Sequence, residues 1–276
     1  MIDLHLHSTA SDGTDSSKTI IEKCAKLGLK LCSIADHDTA DGQSAAIAAA
    51  HKRNIPYLTG IEFSVCCRAG ELHILGYGYR PEDAGLQKLF VELKADRHER
   101  IVKIVDKLNA CGIRITLEDV FRQKQGDCVG RPHVALAMME KGYVSDFSEA
   151  FSKYLNEEGS CYVQRRKITQ REAIDVIRNA GGLPVLAHPK FIRTDDLPEL
   201  VKEMKQMGLG GIEAFYPVHS DSDVQRYCAL AREYSLIVTS GSDYHGKNKQ
   251  HNAIACEKRT DPLLEESVEF LMKKIV

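Results

Sequence analysis

The stretch Asp3-Leu4-His5-Leu6-His7 opens the chain and decides how the rest of it is interpreted. Its alternation of polar and apolar residues predicts a short β-strand over residues 2–6. Residues two apart on a strand point to the same face, so His5 and His7 can bind one cation together. Asp3 shares that face, where it could be a third ligand or could orient a histidine. The alternative is a pair of histidines that are only hydrogen-bonded.

Three further clusters follow apolar runs that predict strands: Asp36-His37-Asp38, His188-Pro189 and Asp243-Tyr244-His245. The carboxyl ends of parallel strands meet at one end of a barrel, so these side chains are expected to converge on one metal site. Unpaired charges after a buried strand are costly, which implies a metal or a salt-bridge partner for the first cluster. Asp38 could instead cap the helix that follows it.

Three other residues are candidate ligands, each with an ordinary structural alternative. Glu62 lies in an apolar strand, where its carboxylate could bridge two cations or pair with a lysine or arginine of the barrel. His73 also lies in an apolar strand and could be a hydrogen-bonded core histidine. Asp12, in Ser11-Asp12-Gly13, could hold a turn, bind a metal, or do both.

The mixture of carboxylates and imidazoles indicates which metals and which chemistry to expect. Ligands of these types suit Zn²⁺, Mn²⁺ or Fe²⁺. Their number exceeds what one tetrahedral site needs, which predicts two or three divalent ions. Sites of this kind activate water and hold the oxygens of phosphate esters during displacement. The pattern therefore predicts metal-assisted hydrolysis of a phosphate ester.

Composition narrows the class of protein. The chain has 276 residues, of which 43% are hydrophobic and 28% charged, enough for one barrel-sized α/β domain or two smaller ones. The net charge of -2 gives no electrostatic basis for binding a nucleic-acid duplex. The chain lacks both a membrane-length apolar run and a signal-like leader, and its nine cysteines are expected to be reduced, which predicts a cytoplasmic protein. Cys24, Cys32 and Cys228 are expected in the core.

The order of predicted elements indicates a barrel with an insertion. Strands and helices alternate in the first third of the chain and again in the last, and only helices are predicted between them. We expect an inserted helical cap at residues 98–160 and a barrel domain at residues 1–97 and 161–276. Six or seven β/α units favour a parallel barrel over an open sheet. In the first helix, Ser17 is the expected N-cap and Gly28 the expected residue after the C-cap.

Taken together, the motifs resemble those of the PHP (polymerase and histidinol phosphatase) superfamily over nearly the whole chain. The matching segments are Asp3-Leu4-His5-Leu6-His7-Ser8, Ser11-Asp12-Gly13, Ala35-Asp36-His37-Asp38, Gly60-Ile61-Glu62-Phe63-Ser64, His73-Ile74-Leu75-Gly76-Tyr77, Ala187-His188-Pro189 and Gly241-Ser242-Asp243-Tyr244-His245-Gly246.

This resemblance implies a distorted (β/α)₇ barrel with three metal ions and a metal-bound hydroxide as the nucleophile. One ion would take His5, His7, Glu62 and Asp243. A second would take Asp12, His37 and His245, and a third would share Glu62 and add His73 and His188. The residues expected to carry catalysis are Asp243, His245, Glu62 and Arg131.

The inserted helices and Gly130-Arg131-Pro132-His133 resemble the branch that contains nucleoside 3′,5′-bisphosphate phosphatases and 5′→3′ exoribonucleases. Arg131 suits a bidentate phosphate clamp, although it could be a solvated arginine at a helix start. His133 could be a second phosphate contact or a residue of the helix face. Ser8, Lys153 and Arg165 are further candidate substrate contacts.

The expected enzyme is a phosphoesterase that converts a nucleoside 3′,5′-bisphosphate, for example adenosine 3′,5′-bisphosphate, to the 5′-monophosphate and inorganic phosphate. Short 5′-phosphorylated RNA is a second expected substrate. The alternatives are a histidinol-phosphate phosphatase, which would share the metal core, and a non-catalytic, metal-stabilised nucleotide-binding module.

Overall fold

The computed structural model describes residues 1–68, 70–123, 129–164, 168–249 and 252–275. Its strands are β1 (Ile2–Leu6), β2 (Leu31–Ile34), β3 (Tyr57–Cys67), β4 (Gly70–Tyr77), β5 (Ile168–Thr169), β6 (Leu183–Leu186), β7 (Gly211–Phe215) and β8 (Ile237–Ser240). Its α-helices are α1 (Ser17–Lys26), α2 (Gln43–Arg53), α3 (Ala84–Ala110), α4 (Leu117–Arg122), α5 (Arg131–Glu140), α6 (Phe147–Ala150), α7 (Gln170–Asn179), α8 (Leu197–Met207), α9 (Asp221–Glu233) and α10 (Pro262–Met272).

Seven strands form one curved sheet in the order β1-β2-β3-β4-β6-β7-β8, and the short β5 pairs with β3. The segment after β8 returns to β1, because the backbone N–H of His7 donates to the carbonyl of Tyr244 at 2.8 Å. Leu6 and Tyr244 form a parallel bridge at the same place. The sheet is therefore a nearly closed barrel, and the predicted distorted seven-stranded α/β barrel is confirmed.

One strand departs from the parallel arrangement expected from the sequence. β4 runs antiparallel to both of its neighbours, β3 and β6. Only Arg68 and Ala69 separate β3 from β4, and a connection that short can join antiparallel strands but not parallel ones. The expectation of an all-parallel barrel is wrong at this strand, which is also the one that carries His73.

The chain divides into two compact units. The barrel unit comprises Met1–Lys88 and Lys167–Val276, and the helical unit comprises Leu89–Arg166. The domain limits expected from the sequence, with a cap at residues 98–160, stay a proposal.

Two clusters of described apolar side chains lie in the core of the barrel unit. Leu4, Leu31, Leu58 and Val185 belong to the cluster contributed mainly by the strands. The second cluster joins the strands to α1 and α2, and it includes Ile20, Ile21, Cys24, Cys32, Ala46 and Ala50. Burial of each large aliphatic side chain contributes roughly 1.5–3 kcal/mol, so these clusters hold the helices against the sheet. The prediction that Cys24, Cys32 and Cys228 are core residues is confirmed.

The limits of α1 show one error in the sequence prediction. Ser16, rather than Ser17, is the N-cap, because its hydroxyl accepts the backbone N–H of Thr19. Ser17 is instead the first helical residue, and its buried hydroxyl donates to Ser8. Gly28 follows the C-cap with φ +68, so the prediction for the helix end is confirmed.

The helical unit has its own apolar core. Ile104, Leu108, Val134 and Met138 are fully buried in it, and its described residues contain helices but no strand. In the helical unit, α6 is followed directly by a π-helical turn at Phe151–Leu155. None of the described helices has the length and apolarity needed to cross a membrane.

Candidate metal centre

β1 supplies the first two histidines of the site. His5 and His7 are fully buried, and their ring centroids lie 5.1 Å apart. The spacing of two on a strand directs both rings to the same side of the barrel wall, as the sequence predicted. His7 also stacks on His245, with ring centroids 4.0 Å apart. β1 and the segment after β8 therefore meet at this point.

Asp3 shares the strand but takes a different role from the one considered for it. Its carboxylate accepts the backbone N–H groups of Ser242 at 3.0 Å and Ala255 at 2.8 Å. Burial raises the pKa of Asp3 to about 6 against the opposing effect of these hydrogen bonds. Asp3 thus ties β1 to the segment after β8, and it is in none of the candidate ligand groups.

The backbone turns sharply where two of the other clusters leave their strands. His188, two residues after the end of β6, has φ 23, and Asp243, three residues after the end of β8, has φ 54. Non-glycine residues rarely adopt positive φ, and such strain is characteristic of functional sites. Asp38 also has positive φ, and its carboxylate accepts the backbone N–H of Ser64 at 3.2 Å. Since Gly42 is the N-cap of α2, the alternative in which Asp38 caps that helix is wrong.

Glu62 lies at the centre of the histidines. Its Oε2 atom is 3.2 Å from Nε2 of His5, 3.2 Å from Nε2 of His7 and 3.1 Å from Nδ1 of His37. Its Oε1 atom is 2.7 Å from Nδ1 of His73 and 3.0 Å from Nε2 of His188. The two oxygens therefore face two different sets of imidazoles.

The position of this carboxylate is set by β3, which extends on both sides of Glu62. Glu62 lies in the middle of the strand, which continues to Cys67. Beside it, the segment after β2 extends the sheet, because Glu62 N–H donates to the carbonyl of Asp36 and Asp38 N–H donates to that of Glu62. His37 lies between these two bonds, which brings its ring to the carboxylate.

The structure brings all nine predicted ligands together. Four overlapping groups offer ligand atoms within 4.8 Å of one another: His7, Asp12, His37 and His245; His5, Glu62 and His188; His5, His7 and Asp243; His37, Glu62 and His73. These groups differ from the three sets implied by the resemblance, because His7 also lies with Asp12 and because Glu62 is shared by two pairs of histidines. The assignment of each ligand to a particular ion stays a prediction.

A second observation supports the fit of these ligand atoms to divalent cations. Several buried atoms of the cluster make no hydrogen bond to any described residue: Nε2 of His5, both ring nitrogens of His7, Nδ1 of His37, Oε2 of Glu62 and Nε2 of His245. A buried polar atom without a hydrogen bond costs about 1–3 kcal/mol. So many such atoms within reach of each other are explained by shared metal ligation.

The pKa values of two histidines indicate that the carboxylates of the cluster favour positive charge beside them. Burial alone lowers the pKa of His7, but its contacts with Asp243 and Glu62 outweigh burial and raise the pKa to about 9. The pKa of His5 is also well above its ordinary value, because Glu213 and Glu62 outweigh its burial. His37 behaves differently, since burial lowers its pKa to about 3 and leaves a neutral ring. A divalent cation would supply to the carboxylates the positive charge that protons otherwise provide.

Glu213 is a functional residue that sequence reasoning missed. It is fully buried on β7, and its Oε1 lies 2.9 Å from Nδ1 of His5. Its Oε2 accepts the backbone N–H of His188 at 2.8 Å. The available signal was an acid inside an apolar strand, Gly211-Ile212-Glu213-Ala214-Phe215, similar to the pattern that drew attention to Glu62.

Asp243 is held by two further residues that were not predicted. Its Oδ2 accepts the hydroxyl of Tyr216 at 2.7 Å and lies 2.6 Å from the ammonium of Lys249. Its Oδ1 faces the histidines, 3.3 Å from Nε2 of His7. One oxygen is thus oriented by hydrogen bonds, and the other is directed toward the cluster.

Gly241 allows His5 and Glu213 to approach each other. A methyl group on Gly241 would lie 2.2 Å from Cβ of His5 and 2.8 Å from Oε1 of Glu213. Real side-chain atoms do not come this close, so the pair requires a glycine at this point of the chain.

Ser8 and Asp36 form a buried network beside the centre. Asp36 accepts the backbone N–H of Ser8 at 2.8 Å, the hydroxyl of Ser8 at 2.7 Å and the hydroxyl of Ser11 at 2.6 Å. Hydrogen bonds therefore satisfy Asp36, which is in none of the candidate ligand groups, whereas His37 of the same cluster is in two of them. The Ser8 hydroxyl also accepts from Ala10 and Ser17 and is fully buried, so the structure gives it a supporting role rather than the predicted substrate contact.

The other predicted substrate contacts belong to the helical unit. A guanidinium nitrogen of Arg131 donates to the carbonyl of Leu155 at 3.1 Å, and the guanidinium lies 5.6 Å from the Phe151 ring centre. The His133 ring accepts the backbone N–H of Gly130 at 3.0 Å. Lys153 pairs with Glu149, and Arg165 lies outside the described residues.

Comparison with known proteins places this geometry in context. The model of the PHP domain family matches residues 3–209 of the chain. A protein of Bifidobacterium adolescentis assigned as a metal-dependent phosphoesterase has a solved structure similar to this one, with a TM-score of 0.87 at 30% identity, covering 100% of this chain and 96% of that one.

Three curated relatives have sequences similar to nearly the whole chain. The phosphoribosyl 1,2-cyclic phosphate 1,2-diphosphodiesterase of Eggerthella lenta is 33% identical over 89% of this chain and 94% of its own. The 3′,5′-nucleoside bisphosphate phosphatase of Chromobacterium violaceum is 32% identical over 88% and 87%, respectively. The 5′-3′ exoribonuclease Rnm of Escherichia coli is 30% identical over 88% and 84%.

Proposed function

The chain belongs to the PHP domain family of phosphoesterases, and we propose that it removes the 3′-phosphate of nucleoside 3′,5′-bisphosphates. The observation that carries the chemistry is the position of Glu62, whose two oxygens face separate sets of histidines among nine candidate ligands. The substrate class is supported by relatives named as a nucleoside bisphosphate phosphatase and an exoribonuclease. Short 5′-phosphorylated RNA is therefore a second proposed substrate.

Divalent cations bound by these nine residues would activate water and neutralise phosphate oxygens, as Mn²⁺, Zn²⁺ and Fe²⁺ sites do. The chain itself keeps the ligands in position. Glu213 holds the ring of His5, and Tyr216 and Lys249 hold Asp243. His245 lies between two carboxylates, 3.2 Å from Asp12 and 3.3 Å from Asp243. We propose that Glu62, Asp243 and His245 would hold the ions that supply the hydrolytic chemistry.

The substrate phosphate that is not hydrolysed needs a separate contact. We propose Arg131 for this role, because its guanidinium has five N–H donors and only part of the side chain is buried. Arg131→Lys keeps the charge and removes the bidentate geometry. We expect the KM for adenosine 3′,5′-bisphosphate to rise in this variant and more steeply in Arg131→Ala. Unchanged KM values in both would remove Arg131 from the site.

A second candidate substrate is a cyclic phosphodiester of ribose. It is favoured by the relative from Eggerthella lenta, which is 33% identical over 89% of this chain. The same metal chemistry would serve both ester types, so the two candidates differ only in what surrounds the phosphate. Histidinol phosphate, the alternative from the sequence, is the third substrate to compare.

The test is phosphate release by the manganese-loaded protein from each substrate in parallel. We expect the highest kcat/KM for adenosine 3′,5′-bisphosphate and loss of turnover in Asp243→Asn, whose folding is checked by thermal melting. Turnover confined to phosphoribosyl 1,2-cyclic phosphate or to histidinol phosphate would overturn the substrate proposal. Full activity of Asp243→Asn would overturn the metal-based mechanism. Nucleotide binding without phosphate release would favour the non-catalytic alternative.

A further inference from the structure

Two loops next to the metal centre are fastened to each other. The first follows β6 and contains His188 and the 3₁₀ turn Pro189–Phe191. The second follows β7 and contains Tyr216 and Val218. The ammonium of Lys190, in the first loop, donates to the carbonyl of Val218 at 2.8 Å and to the carboxylate of Asp223 at 2.9 Å. These bonds hold the loops in a defined arrangement.

This arrangement displays an aromatic ring to solvent. Phe191 is 56% exposed, the highest value among the exposed aromatic side chains of the described residues. Its ring lies at 63° to that of His188, with centroids 5.5 Å apart, and perpendicular to that of Tyr216, with centroids 6.0 Å apart. Val218, tied to the same loop by Lys190, is 47% exposed. An apolar surface is thus held open in a loop that the chain has fixed in place.

The neighbours of Phe191 connect this surface to the proposed reaction site. Nε2 of His188 lies 3.0 Å from Glu62, and the hydroxyl of Tyr216 donates to Asp243 at 2.7 Å. Phe191 therefore contacts one candidate metal ligand, His188, and the tyrosine that holds another, Asp243. A substrate with its phosphate at the metal centre could extend over this ring.

We propose that Phe191, with Val218 beside it, forms the subsite on which the nucleobase of the substrate stacks. The proposal rests on the proposed function and deepens it, because it selects substrates that join a phosphate to a planar base. A purine or pyrimidine stacks on an aromatic face through dispersion and its π-system, and this interaction tolerates different bases. Sugar phosphates without a base would gain nothing from the ring.

The experiment compares Phe191→Ala and Phe191→Trp with the unmodified, manganese-loaded protein. Calorimetric titration measures the binding of adenosine 5′-monophosphate and of inorganic phosphate, and steady-state assays measure KM and kcat for adenosine 3′,5′-bisphosphate. Phe270→Ala is the matched control, since Phe270 on α10 is also an exposed phenylalanine, at 42%. Phe191→Trp retains a stacking surface.

We expect Phe191→Ala to weaken binding of adenosine 5′-monophosphate by about 5- to 100-fold. Binding of inorganic phosphate should not change, and KM for adenosine 3′,5′-bisphosphate should rise by a similar factor at nearly constant kcat. Phe191→Trp should retain affinity, and Phe270→Ala should match the unmodified protein.

Three results would overturn the subsite. They are unchanged affinity for adenosine 5′-monophosphate in Phe191→Ala, equal losses for the nucleotide and for inorganic phosphate, and absence of nucleotide binding by the unmodified protein. The second of these would show that the substitution displaces His188 instead. Nucleotide binding that depends on Phe191, in a protein that releases no phosphate from adenosine 3′,5′-bisphosphate, would support the subsite while the proposed function failed.

Discussion

Nδ1 of His5 lies 2.9 Å from Oε1 of Glu213, and both side chains are fully buried. The other oxygen of Glu213 accepts the backbone N–H of His188. One carboxylate on β7 therefore holds a candidate ligand of β1 and the chain segment that carries another. Since the hydrogen bond keeps a proton on Nδ1, Nε2 is the nitrogen of His5 that would bind a cation once its own proton is released.

Glu213→Gln should weaken metal binding. The amide cannot carry the charge that makes the imidazole a better ligand, and it can accept only through one atom. Replacement of such a partner commonly lowers metal affinity by about 10- to 100-fold. Titration of the metal-free protein with Mn²⁺ measures this directly, independently of activity.

A matched control for this variant is Asp119→Asn in the helical unit. Asp119 is also a buried carboxylate, and it accepts hydrogen bonds from Thr116 and pairs with Lys141. We expect it to lower thermal stability while Mn²⁺ affinity stays constant. Equal Mn²⁺ affinities of Glu213→Gln and the unmodified protein would show that Glu213 has only a structural role.

Gly241→Ala should disrupt the site through backbone crowding. The added methyl group would come within 2.2 Å of Cβ of His5, so His5 or the chain after β8 has to move. A displacement of about 1 Å at such a site costs on the order of 100-fold in rate. We expect kcat/KM to fall by at least that factor, whereas Gly85→Ala, whose nearest neighbour would be 3.3 Å away, should leave kcat/KM as it is. Similar kcat/KM values for the two variants would contradict the prediction.

Metal binding should release protons and should change the pH dependence of stability. In the metal-free protein the pKa of His7 is raised to about 9, from 6.5, by Asp243 and Glu62 acting against burial. Its contribution to folding is therefore complete below about pH 6.5 and is lost as the pH rises through about 9. Bound Mn²⁺ requires the neutral ring, so Mn²⁺ affinity should rise over the same interval.

Calorimetry at pH 7.5 in two buffers of different ionisation enthalpy measures the proton release, and melting at pH 6 and 9.5 measures the stability. We expect the metal-free protein to lose more stability between these pH values than the metal-loaded protein does. A binding enthalpy that is the same in both buffers would exclude the protonated state of His7.

Glu149 should contribute to the stability of the folded protein in a way that is lost in acid. Its pKa is lowered to about 2, from 4.5, by the hydrogen bond from Lys153 and by those from the backbone and side chain of Ser145. Because the folded-state pKa is depressed, the contribution is complete above about pH 4.5 and is lost as the pH falls toward 2. The difference in melting temperature between the unmodified protein and Glu149→Gln should therefore shrink from pH 6 to pH 3. A constant difference would mean that the charge of Glu149 is not involved.

The convergence of residues placed by local pattern was predicted from the sequence. His5 and His7 follow from strand periodicity, and the clusters at His188 and Asp243 follow from their position after buried strands. The sequence pattern does not distinguish Asp3 and Asp36 from the candidate ligands, because both are carboxylates close in the chain to histidines of the site. Groups that are distant in the chain donate to them. Ser242 and Ala255 donate to Asp3, and Ser8 donates to Asp36.

The sequence by itself determined the family, the alternation of strands and helices, and the set of nine candidate ligands, because each depends on short spacings and on residue type. Only the tertiary structure decided that β4 is antiparallel, that Glu213 supports His5 and that Phe191 stays exposed beside His188. Glu213 lies 208 residues from His5 in the chain. Contacts between residues so far apart in the chain depend on how the barrel closes, and local sequence periodicity does not predict them.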